Sequence, residues 1–139
     1  MQQLHPEIRS MNDQLKPILK EAQEIGDKKG KLIESRRQLG SQKNENELVR
    51  EEIKKLEPDA MVYKLIGPAL VPQDQGDAKT IVENRLEYIN GEIKRTDNSI
   101  LELDKKEAQL QKKAQEIYHK MQEKQAQIMQ RQQQQQQQS

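Results

Sequence analysis

The chain has 139 residues, of which 34% are charged and 32% hydrophobic, with three tyrosines and no phenylalanine, tryptophan or cysteine. So few aromatic side chains cannot fill the core of a compact globular domain, and the lack of cysteine excludes disulfides and thiolate chemistry. A formal net charge of +1, and no apolar run near the ~20 residues that cross a bilayer, predict a cytoplasmic protein that binds neither nucleic acid nor membrane.

Residues 1–57 are predicted to form one long helix. Apolar residues recur there at alternating steps of three and four, which is the spacing of a coiled-coil seam. Because Pro17 lacks a backbone donor, a kink or a frayed start is expected near it, and the helix should end before Pro58. The seam positions are Leu4, Ile8, Met11, Leu15, Ile18, Ala22, Ile25, Leu32 and Leu39, and after an expected shift of register Val49, Ile53 and Leu56.

Residues 58–75 favour a β-hairpin. Two short apolar runs flank Gly67-Pro68, where glycine can take the positive φ that opens a type II′ turn and proline can follow it. Such a hairpin alone is marginally stable and leaves two unpaired edges. Two interpretations remain open: the hairpin merely reverses the chain, or hairpins from several chains join in a shared β-barrel.

Residues 76–130 are predicted to form a second long helix, which Asp74 or Asp77 can cap. The two helices should pair as an antiparallel coiled coil, so the predicted fold is α-helical with a small β element. The glutamine-rich residues 131–139 are predicted to be a disordered tail. The second seam contains Val82, Leu86, Ile89, Ile93, Ile100, Leu103, Leu110, Ala114, Ile117, Met121 and Ile128.

The segment "VYKLIGPALVPQ" at 62–73, preceded by "ENELVREEIKKL" at 45–56 and followed by "RLEYINGEIKR" at 85–95, resembles the β-class subunits of the prefoldin family. The detailed resemblance covers about residues 45–105. It implies a subunit of a hetero-hexameric, ATP-independent chaperone whose hairpins assemble into an inter-subunit β-barrel. The partners implied are other α- and β-class subunits, unfolded clients such as actin and tubulin, and the cytosolic group II chaperonin.

Two sets of residues are therefore candidate sites, and neither requires a cofactor or a metal. The predicted assembly residues are Val62, Tyr63, Leu65, Ile66, Gly67, Pro68, Leu70 and Val71. The predicted client-binding residues, at the ends of the seam where apolar side chains could remain unpaired, are Leu4, Ile8, Met11, Leu15, Met121, Ile128 and Met129.

No enzyme is predicted, because the carboxylates lie on polar helix faces and nothing gathers them into a pocket. His5 and His119 lack the companion ligands of a metal site and are interpreted as solvated side chains. The alternative function is that of a homodimeric coiled-coil tether, in which the hairpin is only a bend. The mass of the assembly in solution distinguishes the two.

Overall fold

The computed structural model describes residues 5–138 and contains four elements. Helix α1 spans Pro6–Lys54, strand β1 Val62–Ile66, strand β2 Ala69–Gln73 and helix α2 Gln75–Gln137. The strands pair antiparallel as a two-stranded sheet. The predicted fold class, two long helices joined by a β-hairpin, is confirmed. The chain forms two compact units: unit 1 combines the residues up to 30 with those from 101 onward, and unit 2 is 31–100.

Helix α1 begins at Pro6 and continues through Pro17, so the predicted frayed start is not observed. Proline at the first helical position costs nothing, because its missing donor would be unpaired there anyway. The His5 imidazole Nδ1 accepts a hydrogen bond from the Glu7 backbone N–H at 3.3 Å, which satisfies another of the free donors. Pro17 lies on the exposed side of the helix. Two residues earlier, Leu15 is 2% exposed and belongs to the seam.

A short loop joins α1 to the hairpin, and the first residue of α2 holds it in place. The Gln75 side-chain amide donates to the backbone carbonyls of Glu57 and Ala60, at 2.8 and 2.6 Å. Asp74 caps α2, because its carboxylate accepts from the Asp77 backbone N–H at 3.3 Å. The entry to α2 is thus tied to the exit of α1.

At its C-terminal end, α2 differs from the prediction of a disordered tail. The helix runs to Gln137, so the glutamines that follow Arg131 are helical. Glutamine has a good helix propensity, and extending an existing helix avoids the cost of nucleating a new one.

In unit 1, apolar side chains of both helices form the seam, and Leu15, Ile25 and Leu110 are its most buried members. Lys29 occupies a seam position of α1, where its ammonium group pairs with Asp104 at 2.5 Å and Glu107 at 2.7 Å. The hydrogen bonds to Asp104 and then Glu107 raise the pKa of Lys29 above its ordinary value. The seam therefore accommodates a charge whose partners come from the facing helix.

In unit 2 the predicted shift of register in α1 is wrong. The three-four spacing continues without interruption through half-buried Lys43, Asn46, Arg50 and Ile53. Val49 is 47% exposed and Leu56 is 38% exposed, so two of the three residues assigned to the shifted stripe lie outside the seam. The facing positions of α2 are more apolar, with Ala78, Val82, Leu86 and Ile89 all buried. Helix α2 thus supplies most of the buried apolar surface here.

Candidate functional site

The hairpin presents two faces, defined by its register. Tyr63 faces Pro72 and Leu65 faces Leu70, while Lys64 faces Val71 and Ile66 faces Ala69. Since cross-strand partners share a face and neighbours along a strand do not, one face carries Tyr63, Leu65, Leu70 and Pro72. The other carries Val62, Lys64, Ile66, Ala69, Val71 and Gln73.

Almost all of this apolar surface is uncovered in the single chain. Leu65 is 69% exposed and Leu70 is 67% exposed, although they face each other. Tyr63, Ile66 and Val71 are exposed as well, and only Val62 among the predicted assembly residues is half-buried. An apolar sheet that is exposed on both faces is characteristic of a surface that a partner covers.

The turn of the hairpin has the predicted glycine conformation. Gly67 has a φ of +56° and is the one residue with positive φ in the described part of the chain. Pro68 follows it, and both residues are exposed. The tip of the hairpin is thus a tight two-residue turn that leaves the strand edges accessible.

A cleft lies between the base of the hairpin and one side of the helix pair. This cleft of about 200 Å³, the hairpin cleft, contains strand residues Val62, Tyr63, Lys64 and Gln73 and helix residues Val49, Ile53, Ala78, Ile81, Val82 and Arg85. The exposed Val49, which lies outside the seam, therefore lines the hairpin cleft.

A second, larger groove continues along the same side of the helices. We name it the side groove; it has a volume of about 550 Å³ and contains Gln42, Asn46, Ile81, Asn84, Arg85, Tyr88 and Ile89. Ile81 and Arg85 belong to both the hairpin cleft and the side groove. None of the residues of the side groove was predicted as a site residue. The sequence feature that could have indicated the groove is the apolar pair Ile81 and Tyr88. These two residues are seven positions apart and lie beside the seam.

The other side of the helix pair in unit 2 carries charged residues of both signs, among them Lys54, whose ammonium group pairs with Glu51 at 3.4 Å. Glu83 and Glu87 flank the seam on that side of α2, and Glu47 and Glu51 flank it on α1. Glu83 reaches Arg50 across the seam at 3.9 Å. The hairpin lies on the opposite side, which carries Val49 and Ile81.

The predicted client-binding residues belong to unit 1, where the structure places them in different environments. Glu7 pairs with Lys124 at 2.8 Å, which brings the beginning of α1 beside the later part of α2. Leu15 is buried in the seam and Met129 is exposed, at 57%. Half-buried side chains are found at Ile8, Met11, Met121 and Ile128. Leu4 lies outside the described residues.

Histidine and acidic side chains do not gather into a metal site in the described part of the chain. Within residues 5–138, no group of three or more His, Cys, Asp or Glu side chains could hold a metal ion. His119 contacts Glu123 one helical turn away, at 3.1 Å. No helix in this range is long and apolar enough to cross a membrane.

Comparison with known proteins identifies the family. The family model described as "Prefoldin subunit" matches residues 16–124. Prefoldin subunit 6 of Arabidopsis thaliana is 46% identical over 78 residues, which are 56% of this chain and 60% of that protein. The Saccharomyces cerevisiae protein of the same name is 41% identical over 85 residues, which are 61% of this chain and 73% of that one. The chain thus matches about six-tenths of the length of the Arabidopsis relative.

A solved structure has the same fold. The crystal structure of the prefoldin beta subunit from Thermococcus strain KS-1 superimposes with a TM-score of 0.60 at 21% identity, covering 84% of this chain and 96% of that one. The resemblance drawn from the hairpin segment is confirmed by the family match and by the relatives. This chain belongs to the prefoldin subunit family.

Proposed function

We propose that this chain is a β-class subunit of a hetero-hexameric, ATP-independent chaperone that acts in the cytoplasm without catalytic chemistry. Family membership implies a subunit of a chaperone complex that assembles with other prefoldin subunits. The observation that carries the proposal further is the hairpin, whose apolar side chains are exposed on both faces. One chain cannot bury them, whereas a barrel formed from several hairpins would also pair the free edges.

In this proposal the two units have separate roles. The hairpin of unit 2 joins the subunit to its neighbours through Tyr63, Leu65, Ile66, Leu70 and Val71. The apolar side chains near the termini, in unit 1, hold unfolded proteins such as actin and tubulin before transfer to the cytosolic group II chaperonin. Methionine side chains, including Met121 and Met129, suit varied partners because they are flexible and polarizable.

Assembly through the hairpin is tested by Leu65→Asp, measured by light scattering after mixing with candidate partner subunits. A carboxylate in the barrel would be buried without a partner at a cost of several kcal/mol. We expect the variant to keep its helical circular dichroism but to stay out of the complex. Tyr63→Asp should behave in the same way.

Leu101→Asp is the matched control, because Leu101 is 56% exposed and lies outside the hairpin. It should enter the complex normally. Normal assembly of Leu65→Asp would remove the hairpin from the assembly role. A dimer mass for the unmodified chain in the presence of every partner would favour the tether function instead.

A further inference from the structure

Helix α2 carries a row of lysines in the part that belongs to unit 1. Lys105 and Lys106 are adjacent, Lys112 and Lys113 repeat them one heptad later, and Lys120 follows after seven more residues. All five side chains are exposed. Because a step of seven residues returns to nearly the same side of a helix, these lysines form one stripe, which we name the lysine stripe.

The positive charge of the lysine stripe is not neutralised within the chain. None of its five lysines forms an ion pair or a hydrogen bond with another described residue. The neighbouring carboxylates of Asp104 and Glu107 pair instead with Lys29 in the seam. Glu102 and Glu116 are the other acidic residues between positions 102 and 120. The surface of this stretch therefore keeps an excess of positive charge.

The chemistry around the stripe favours an acidic polypeptide over other anionic partners. Binding to a membrane surface requires an apolar helix face beside the charges, but here the apolar side of α2 packs in the seam, where Leu110 is 7% exposed. Recognition of nucleic acid uses arginine forks and aromatic stacking platforms, and the stripe contains neither. Lysine ammonium groups act as point charges, which single carboxylates can neutralise one at a time.

The length of the stripe suits an extended chain. Lys105 and Lys120 are fifteen positions apart, which corresponds to about 22 Å at the helical rise. An extended polypeptide advances about 3.3 Å per residue, so about seven residues lie along the stripe and about every third one reaches a new heptad. We propose that the lysine stripe binds acidic, extended segments of unfolded client proteins.

The stripe is continuous with the predicted client-binding part of α2. Lys120 is followed directly by the half-buried Met121, and the helix continues to Met129, which is 57% exposed. One client chain can therefore place apolar residues on the methionines and acidic residues on the lysines. This inference rests on the proposed function, since it assumes that unfolded clients are held by unit 1.

Photocrosslinking to a labelled poly-L-glutamate probe tests the inference within the assembled complex. The crosslinker p-benzoylphenylalanine replaces Gln109, which is exposed and lies one helical turn from both Lys106 and Lys113. At low salt and limiting probe, the expected product joins position 109 to the probe. Its yield should fall at least about fourfold, as estimated for the loss of four exposed ion pairs, when glutamine replaces Lys105, Lys106, Lys112 and Lys113.

The control variant removes the same number of charges elsewhere. It replaces four exposed lysines that also lack ion pairs, and it should leave the yield unchanged; these are Lys20, Lys31, Lys79 and Lys94. Glutamine and lysine have similar helix propensities, so both variants should keep their helices. The absence of a crosslink, an equal yield in all complexes, or an equal loss in both variants would overturn the inference. Stronger competition by single-stranded RNA than by unlabelled poly-L-glutamate would also overturn it.

The rate of client capture provides a second measurement. One client is prepared in two denatured forms, one with an acidic segment and one in which amides replace the carboxylates of that segment. Replacing the lysines of the stripe should slow capture of the acidic form severalfold at low salt, and added salt should remove the difference. Capture of the amide form should not change. Equal effects on the two forms would contradict the inference.

Failure of this inference can be separated from failure of the proposed function. If the complex with the replaced lysines crosslinks to the probe undiminished while it still protects clients from aggregation, the chaperone function stands and only the lysine stripe is excluded. If the complex with the unmodified chain protects no client, the proposed function falls, whatever the yield of the probe crosslink.

Discussion

Basic residues recur at every seventh position of the α1 seam, at Lys29, Arg36, Lys43 and Arg50. Three of them pair with acidic residues of α2. Because the helices are antiparallel, each step of seven residues up α1 corresponds to a step of seven residues down α2. In unit 1 Lys29 pairs with Asp104, and in unit 2 Arg36 pairs with Asp97 at 2.9 Å and Arg50 with Glu83 at 3.9 Å. Such pairs contribute little net stability but select one helix register over others. The series therefore aligns α2 with α1.

Lys43 is the exception in unit 2. The interval places Asn90 opposite it, and among the described residues Lys43 has no ion pair or hydrogen bond. We expect Asn90→Asp to supply the missing carboxylate and to stabilise the chain against urea by about 0.2–1 kcal/mol, the range for partly exposed pairs. Asparagine and aspartate have similar helix propensities, so the pair itself should dominate.

A double-mutant cycle provides the control for this effect. In a Lys43→Met background Asn90→Asp should lose most of its benefit, and added salt should reduce the benefit in the original background. An equal gain with and without Lys43 would show that the two residues do not interact.

At the scale of elements, the hairpin turn depends on one backbone angle. Gly67 and Gly30 both have open space where a Cβ would lie, but only Gly67 has positive φ. A clash of the added Cβ with neighbouring residues therefore cannot make alanine act differently at the two positions, whereas the positive φ of Gly67 can. The comparison isolates the backbone requirement of the turn from any effect of packing.

We expect Gly67→Ala to destabilise the hairpin by about 1–2 kcal/mol, because an L-residue is strained in the left-handed region. Since the hairpin is the proposed assembly element, the effect should be measured as weaker association with partner subunits. Gly30→Ala should raise the melting temperature instead, because alanine in a helix interior is favoured by about 1 kcal/mol. Equal association for Gly67→Ala and the unmodified chain would mean that the turn conformation does not limit assembly.

At the scale of the whole molecule, the proposal separates assembly from client binding. The exposed hairpin belongs to unit 2, while the candidate client-binding side chains belong to unit 1. In unit 1, Leu15 is buried and Met129 is exposed, so the environment becomes less enclosed toward the end of α2. Shortening both ends of the chain should therefore affect clients more than partners.

Deleting residues 1–16 together with 120–139 should leave assembly intact, because coiled-coil stability is distributed along the seam. The complex should then suppress aggregation of a client diluted from denaturant less well, as followed by light scattering at matched concentrations. We expect a partial loss, since the other subunits keep their own ends and avidity falls by steps. Deleting only the glutamines 132–138 is the control and should change little. Full protection by the shortened complex would make this subunit's role architectural.

The sequence by itself determined the two helices, the hairpin between them and the glycine turn, because heptad spacing and turn chemistry are local properties. It also contained the hairpin segment that indicated the family. Only the tertiary structure decided which residues near the hairpin enter the seam. Val49 is more hydrophobic than Arg50, yet Arg50 occupies the seam position, because the facing helix supplies both apolar surface and Glu83. The exposed Val49 instead lines the hairpin cleft. The residues of α1 that enter the seam depend on the facing residues of α2, which are distant in sequence. The hydrophobicity pattern of α1 alone therefore does not predict them.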